Sequence, residues 1–179
     1  MRKYLKTLAL IVAMVFIAVL AGCGSSDKFS GTWVGINSDS LRIMNIQKNG
    51  DNYLVKTSEY YYAFTRDVTK MDGWKPTYSI NETLKVKKED ERSATVKNNN
   101  LVFDGTMDTE FITYKEDNKK LSYKKAEFSK TDEKSIKKIV TDNLKQLKEN
   151  AEKEGKADAA GFGNLTGFKY DDSLLDTLK

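Results

Sequence analysis

The chain has 179 residues, with 30 Lys and Arg against 26 Asp and Glu, one cysteine and no histidine. Without histidine there is no Ser-His-Asp or Cys-His nucleophile and no His-ligated zinc, and a lone cysteine forms no internal disulfide. The net charge of +4 is spread over interleaved Lys and Glu, which gives no concentrated basic face for nucleic acid; the chain is expected to bind rather than catalyse, with no cofactor and no bound metal.

Arg2, Lys3 and Lys6 open the chain, apolar residues run unbroken from Leu8 to Leu20, and the small residues Ala21 and Gly22 lead into Cys23. A cationic start, a short apolar stretch and a small-residue cleavage point are the parts of a secretory signal. A permanent span needs about 20 apolar residues to cross ~30 Å of hydrocarbon, and this run ends too soon, at Gly22-Cys23-Gly24-Ser25-Ser26. Leu20-Ala21-Gly22-Cys23 resembles the lipobox of bacterial lipoproteins. The resemblance implies removal of residues 1–22, acylation of Cys23 (palmitate among the chains), and a lipid anchor on the extracytoplasmic face of the cell membrane. Several acyl chains hold firmly where one is marginal.

Residues 23–28 are small and polar and read as a tether. Phe29 to Ile36 reads as a first strand. In Leu41 to Lys48 the apolar positions change phase, from 41 and 43 to 44 and 46, which predicts a bulge or a bend. Asn49-Gly50-Asp51-Asn52 is a hairpin signal, and Tyr53 to Thr65 returns from it. Arg66 to Pro76, with its acidic residues, glycine and proline, reads as a loop. Tyr78 to Lys87 alternates with a period of two. Ala94 and Val96, Leu101 and Phe103, Phe111 to Lys115, and Leu121 to Phe128 follow, separated by turn residues at Asn98-Asn99-Asn100, Asp104-Gly105 and Glu116-Asp117-Asn118. About eight short strands over 29–128 predict a mainly β domain, an antiparallel meander closed as a barrel or folded as a sandwich.

At Ser129 the period changes. Ile136, Ile139, Val140, Leu144 and Leu147 fall at helical spacing, so 129–156 is expected to be an amphipathic helix packed on the β domain. Ser129 or Thr131 is its expected cap, Asp132 and Glu133 sit near its positive end, and Gly155 is its expected stop. Residues 157–179 form a tail that is expected to pack through Phe162, Phe168 and Tyr170. A short helix over Leu174, Leu175 and Leu178 would start at Asp171 or Asp172.

Gly31-Thr32-Trp33 at the head of a meander, with a helix after its last strand, resembles the lipocalin arrangement. That resemblance implies a barrel around a small ligand, with Trp33 plugging one end. Tyr60, Tyr62, Phe64, Trp74 and Tyr78 form an aromatic neighbourhood, which is either the wall and mouth of an apolar ligand site or ordinary barrel core. Glu82 shares a face with Ile80, Leu84 and Val86. It contacts a ligand, pairs with Arg42 or Arg66, or faces water at a strand end. Asp104, Asp108 and Glu110 are close enough to suggest calcium but lack the glycine and closing glutamate of an EF-hand loop, so turn chemistry accounts for them better. Two functions stay open: a small apolar ligand held in the barrel, or another envelope protein bound on the outside of a filled one.

Overall fold

A computed structural model describes residues 27–37, 39–107 and 109–178. The predicted signal, Cys23 and most of the tether lie outside the described residues.

The longest strand sets the architecture. β3 (Asn52–Asp72) follows β1 (Gly31–Ile36) and β2 (Ser40–Asn49), and its first half lies between two partners. On one edge β2 pairs antiparallel from Asn49↔Asn52 to Ser40↔Tyr61. On the other, β5 (Arg92–Lys97) pairs from Asn52↔Thr95 to Val55↔Arg92. The chain then meanders through β6 (Asn100–Phe103), β7 (Phe111–Lys115), β8 (Lys120–Tyr123) and β9 (Ala126–Thr131), and β9 returns to β1. Eight antiparallel strands thus close a barrel.

The second half of β3 leaves the barrel. It forms a hairpin with β4 (Lys75–Lys88), paired from Ser58↔Lys88 to Asp72↔Lys75, and β10 (Asn164–Asp171) lies parallel on the far edge of β4. At about 3.3 Å per residue, this arm extends roughly 35 Å beyond the end of β2. The stretch 66–76 is therefore strand and turn rather than loop. β4 stands outside the barrel, while Leu121 to Phe128 is a hairpin rather than one strand, turned by Lys124 (φ 46) and Lys125 (φ 65). Those two departures offset each other in the expected count of eight.

The phase change in β2 has a simple cause. Its register with both β1 and β3 is continuous, without a bulge. Leu41 and Ile43 face outward under the helix, whereas Met44 and Ile46 face into the barrel. Each half of the strand buries a different face.

The helix α1 (Ile136–Ala159) starts later than expected, capped by Ser135, whose hydroxyl accepts from the Lys138 amide. Proton-bearing ends of the first turn need such an acceptor. Its 24 residues span about 36 Å. Ile139, Val140 and Leu147 pack on the outer wall with Leu41, Ile43 and Tyr60, and Ala159 reaches Tyr78 and Ile80 on the arm. The helix is thus a strut between barrel and arm. The tail supplies β10 and a final 3₁₀ turn (Ser173–Thr177), whose Leu174 and Leu175 close over the same apolar seam.

Gly155 is not the helix stop. It lies inside α1, and a Cβ there would sit 2.7 Å from the Phe168 ring and 3.0 Å from Ile80 Cδ1. The helix approaches the arm closely because this side chain is missing. Gly155→Ala gains about 1 kcal/mol of helix propensity but forces the ring aside at a typical overpacking cost of ~1–3 kcal/mol. We expect a net loss of about 1 kcal/mol in urea denaturation, with an unchanged helical circular-dichroism signal; a stabilised variant would show that the contact is loose.

Candidate interaction surface

The barrel interior is packed with side chains. Trp33, Met44, Ile46, Val55, Ala94, Leu101, Phe103, Ile112, Leu121 and Phe128 point inward from successive strands and form one buried cluster. One end is closed by Phe29, whose carbonyl accepts from Trp33 Nε1 at 2.7 Å, and by Tyr53 and Tyr114 edge-on to the Phe29 ring. The expected tether is tied down here. Asp27 accepts from the amides of Phe29 and Ser30 and from the Tyr53 hydroxyl. Burial alone would raise the Asp27 carboxyl, yet these donors hold it below its ordinary value. Burial and the Asp27 contact push the Tyr53 phenol up to about 12.

Two arginine–glutamate pairs roof the opposite end. Arg42 meets Glu59 at 2.7 Å, with Ser40 donating to the same carboxylate. Arg92 meets Glu110 at 2.9 Å and stacks 3.9 Å from the centre of the Phe103 ring. The Arg92 guanidinium and the Tyr123 hydroxyl pull the Glu110 carboxyl down to about 2. Glu110 thus serves the barrel rim. Asp108, its proposed companion, lies outside the described residues, and among the described residues no group of three or more acidic, cysteine or histidine side chains is placed to hold a metal.

The aromatic neighbourhood lies elsewhere. Tyr60, Tyr62, Phe64, Tyr78 and Glu82 do share one face, because Tyr60↔Val86, Tyr62↔Leu84, Phe64↔Glu82 and Val68↔Tyr78 are cross-strand pairs. That face is the outer one, beneath α1 and continuing along the arm. Tyr60 and Tyr78 are buried, Tyr62 donates to Asp172, and Tyr170 of β10 packs edge-on against Tyr62. Trp74 is apart from all of them, at the hairpin tip and 97% exposed.

Glu82 sits at the middle of this face, 2% exposed, and its Oε2 has no hydrogen-bond partner. The two expected cations are engaged elsewhere, Arg42 with Glu59 and Arg66 with Asp158. Burial, helped by the charge of Glu154 on the helix, pushes the Glu82 carboxyl above its ordinary value.

Beyond the helix the arm carries its apolar residues in the open. Every residue from 64 to 75 is exposed, including Phe64, Val68, Met71 and Trp74. One extra residue, Thr69, interrupts the register, so Val68↔Tyr78 is followed by Lys70↔Thr77 and Met71↔Pro76. This bulge returns Met71 to the same face as Val68 and Phe64. Phe162 lies beside them, 5.1 Å from the Tyr78 ring. Gly163 abuts Pro76, where a Cβ would lie 2.2 Å from the Pro76 carbonyl oxygen.

Val68 and Met71 escaped the sequence reading as members of a surface, and Phe162, expected to pack, does touch Tyr78 but stays exposed beside the arm. The bulge breaks the period of two, and no short-range signal separates an exposed bulged strand from a loop. No family model matches the chain, and no curated protein or solved structure is significantly similar to it. Among the described residues no helix is long and apolar enough to cross a membrane.

Proposed function

We propose that the chain is a lipid-anchored lipoprotein of the cell envelope, held through Cys23, whose barrel is a mounting and whose arm binds another protein. The observation that carries this reading is the contrast between a lumen filled with buried side chains and an arm with exposed Val68, Met71 and Trp74. Exposed apolar residues clustered on one element mark interaction sites, whereas single ones are ordinary. The tip is also the far end of β3 from Asp27, so it is held away from the attachment point.

Three measurements test the reading. Cys23→Ser is expected to move the protein from the membrane to the soluble fraction; retention in the bilayer would overturn the anchor. A photoreactive benzophenone side chain at position 74 is expected to give a protein adduct in cells, whereas one at the exposed helix position Lys145 is not. Equal yields at both positions would remove the arm from consideration. The other function, a small apolar ligand in a lipocalin-like barrel, would need the lumen side chains to move apart. Titration of a Trp74→Phe variant with fatty acids, followed through Trp33, is expected to show no saturable change.

A further inference from the structure

Among the described residues β3 has an open edge along the arm. β2 stops pairing at Ser40↔Tyr61, and from Tyr62 to Asp72 the strand β3 is bonded only to β4. Among the described residues no other backbone reaches that edge. An unpaired row of amides and carbonyls is a template for another strand. β10 is the sheet's other outer strand, but its register with β4 is broken between Leu165 and Gly167, and it carries no large exposed apolar residue.

We propose that the open edge of β3 pairs antiparallel with the same edge of a second copy of this chain, forming a two-fold dimer joined arm to arm. The proposal rests on the reading of the arm as a protein-binding surface, and it names the partner. The charge order along the edge is what selects a second copy. Asp67 and Lys70 lie on one face of the arm, since their partners Ser79 and Thr77 are two residues apart on β4. When the edge meets itself about an axis between Val68 and Thr69, Asp67 of each copy stands opposite Lys70 of the other. Symmetry makes that contact twice, and opposite charges facing each other across strands are stabilising.

The remaining positions agree with the same register. Thr65 meets Asp72 on the charged face, and Arg66 meets Met71 on the apolar one, with no residue forced through the sheet. Thr69 of each copy falls opposite Val68 of the other, so the two bulges meet at the axis. Val68 and Met71 of both copies then form one continuous apolar strip, with a Trp74 at either margin. The barrels stand at opposite ends of an elongated dimer. Two copies on one membrane would pair with their long axes in its plane, where confinement raises the effective concentration.

The test is sedimentation of the full chain in density-matched detergent. A concentration-dependent dimer is expected for the native chain. Asp67→Lys alone and Lys70→Asp alone place like charges opposite each other twice, and each is expected to weaken self-association on the order of tenfold. The double variant D67K/K70D is expected to restore it, and a mixture of the two single variants is expected to form a heterodimer. Unchanged thermal melting confirms that the single variants fold. A monomer at all concentrations, or a dimer indifferent to these exchanges, overturns the pairing. The adduct at position 74 separates the two proposals: twice the chain's mass supports self-pairing. An adduct of any other mass from a chain that stays monomeric overturns it and leaves the arm as a binding surface.

Discussion

Trp33→Ala is expected to cost about 3–5 kcal/mol and to move the urea midpoint far below that of the native chain. Trp33 is 1% exposed and pairs with Met44 across the first hairpin. Tyr114 stands edge-on 6.4 Å from its ring, the Lys130 ammonium lies 5.5 Å from the ring, and its indole N–H satisfies the Phe29 carbonyl. Truncation leaves a void bounded by strands that cannot collapse without opening the barrel, and it orphans a buried carbonyl. Since a domain of this size is stable by only ~5–15 kcal/mol, the loss is a large share of the whole. Trp33→Phe keeps most of the volume and should cost clearly less. A midpoint of Trp33→Ala equal to that of the native chain would take Trp33 out of the core.

Glu82→Gln is expected to act in the opposite direction, stabilising the protein near pH 8, because the neutral amide brings no charge into the buried site. The sign follows from linkage. The folded carboxyl titrates above its unfolded value of about 4.5, because burial opposes its charge. Glu82 therefore imposes no ionisation penalty below about pH 4.5, and stability falls as pH rises from there through the folded value. Glutamine is never charged, so the gap between variant and native chain should open with rising pH and close in acid. Glu110 has the reverse sign. Its carboxyl is held down to about 2, so the stability it contributes is present above its unfolded value and is lost in strong acid. Melting temperatures of the native chain and Glu82→Gln from pH 4 to 8 measure the effect. A constant difference across that range would mean that Glu82 gains a partner in solution.

Most strands were legible because their signals are local. Gly50 and Asn98-Asn99 mark hairpins wherever the chain later goes, since a positive φ comes easily to glycine and asparagine. The turn at Lys124-Lys125 was missed for the complementary reason. Lysine has no preference for positive φ, and only the meeting of β8 and β9 holds it there. For the helix, the stripe was visible but the cap was not, because Ser129, Thr131 and Ser135 are all competent caps. β9 runs to Thr131 and leaves only Ser135 in position.

Apart from Trp74, the aromatic neighbourhood was legible in membership and not in place, and the exposed Val68 and Met71 of the arm were not legible as a surface. Alternation put Tyr60, Tyr62 and Phe64 on one face of their strand and Glu82 with Ile80, Leu84 and Val86 on one face of the next, and only the β3–β4 register made the two faces one. A period of two does not say which side of the sheet becomes the lumen, and here both sides of β2 and β3 are buried, one by the barrel and one by α1. By itself the chain determined its β class, those hairpins that turn on Gly or Asn, its amphipathic helix and Trp33 as a core residue, all of which depend on neighbours within a few positions. The tertiary structure alone decided that β3 outruns β2, that β4 leaves the barrel, and that a single bulge at Thr69 keeps Val68 and Met71 on one open face. Those features depend on where strands from distant parts of the chain begin and stop pairing, and pairing length is set by the partner as much as by the strand itself.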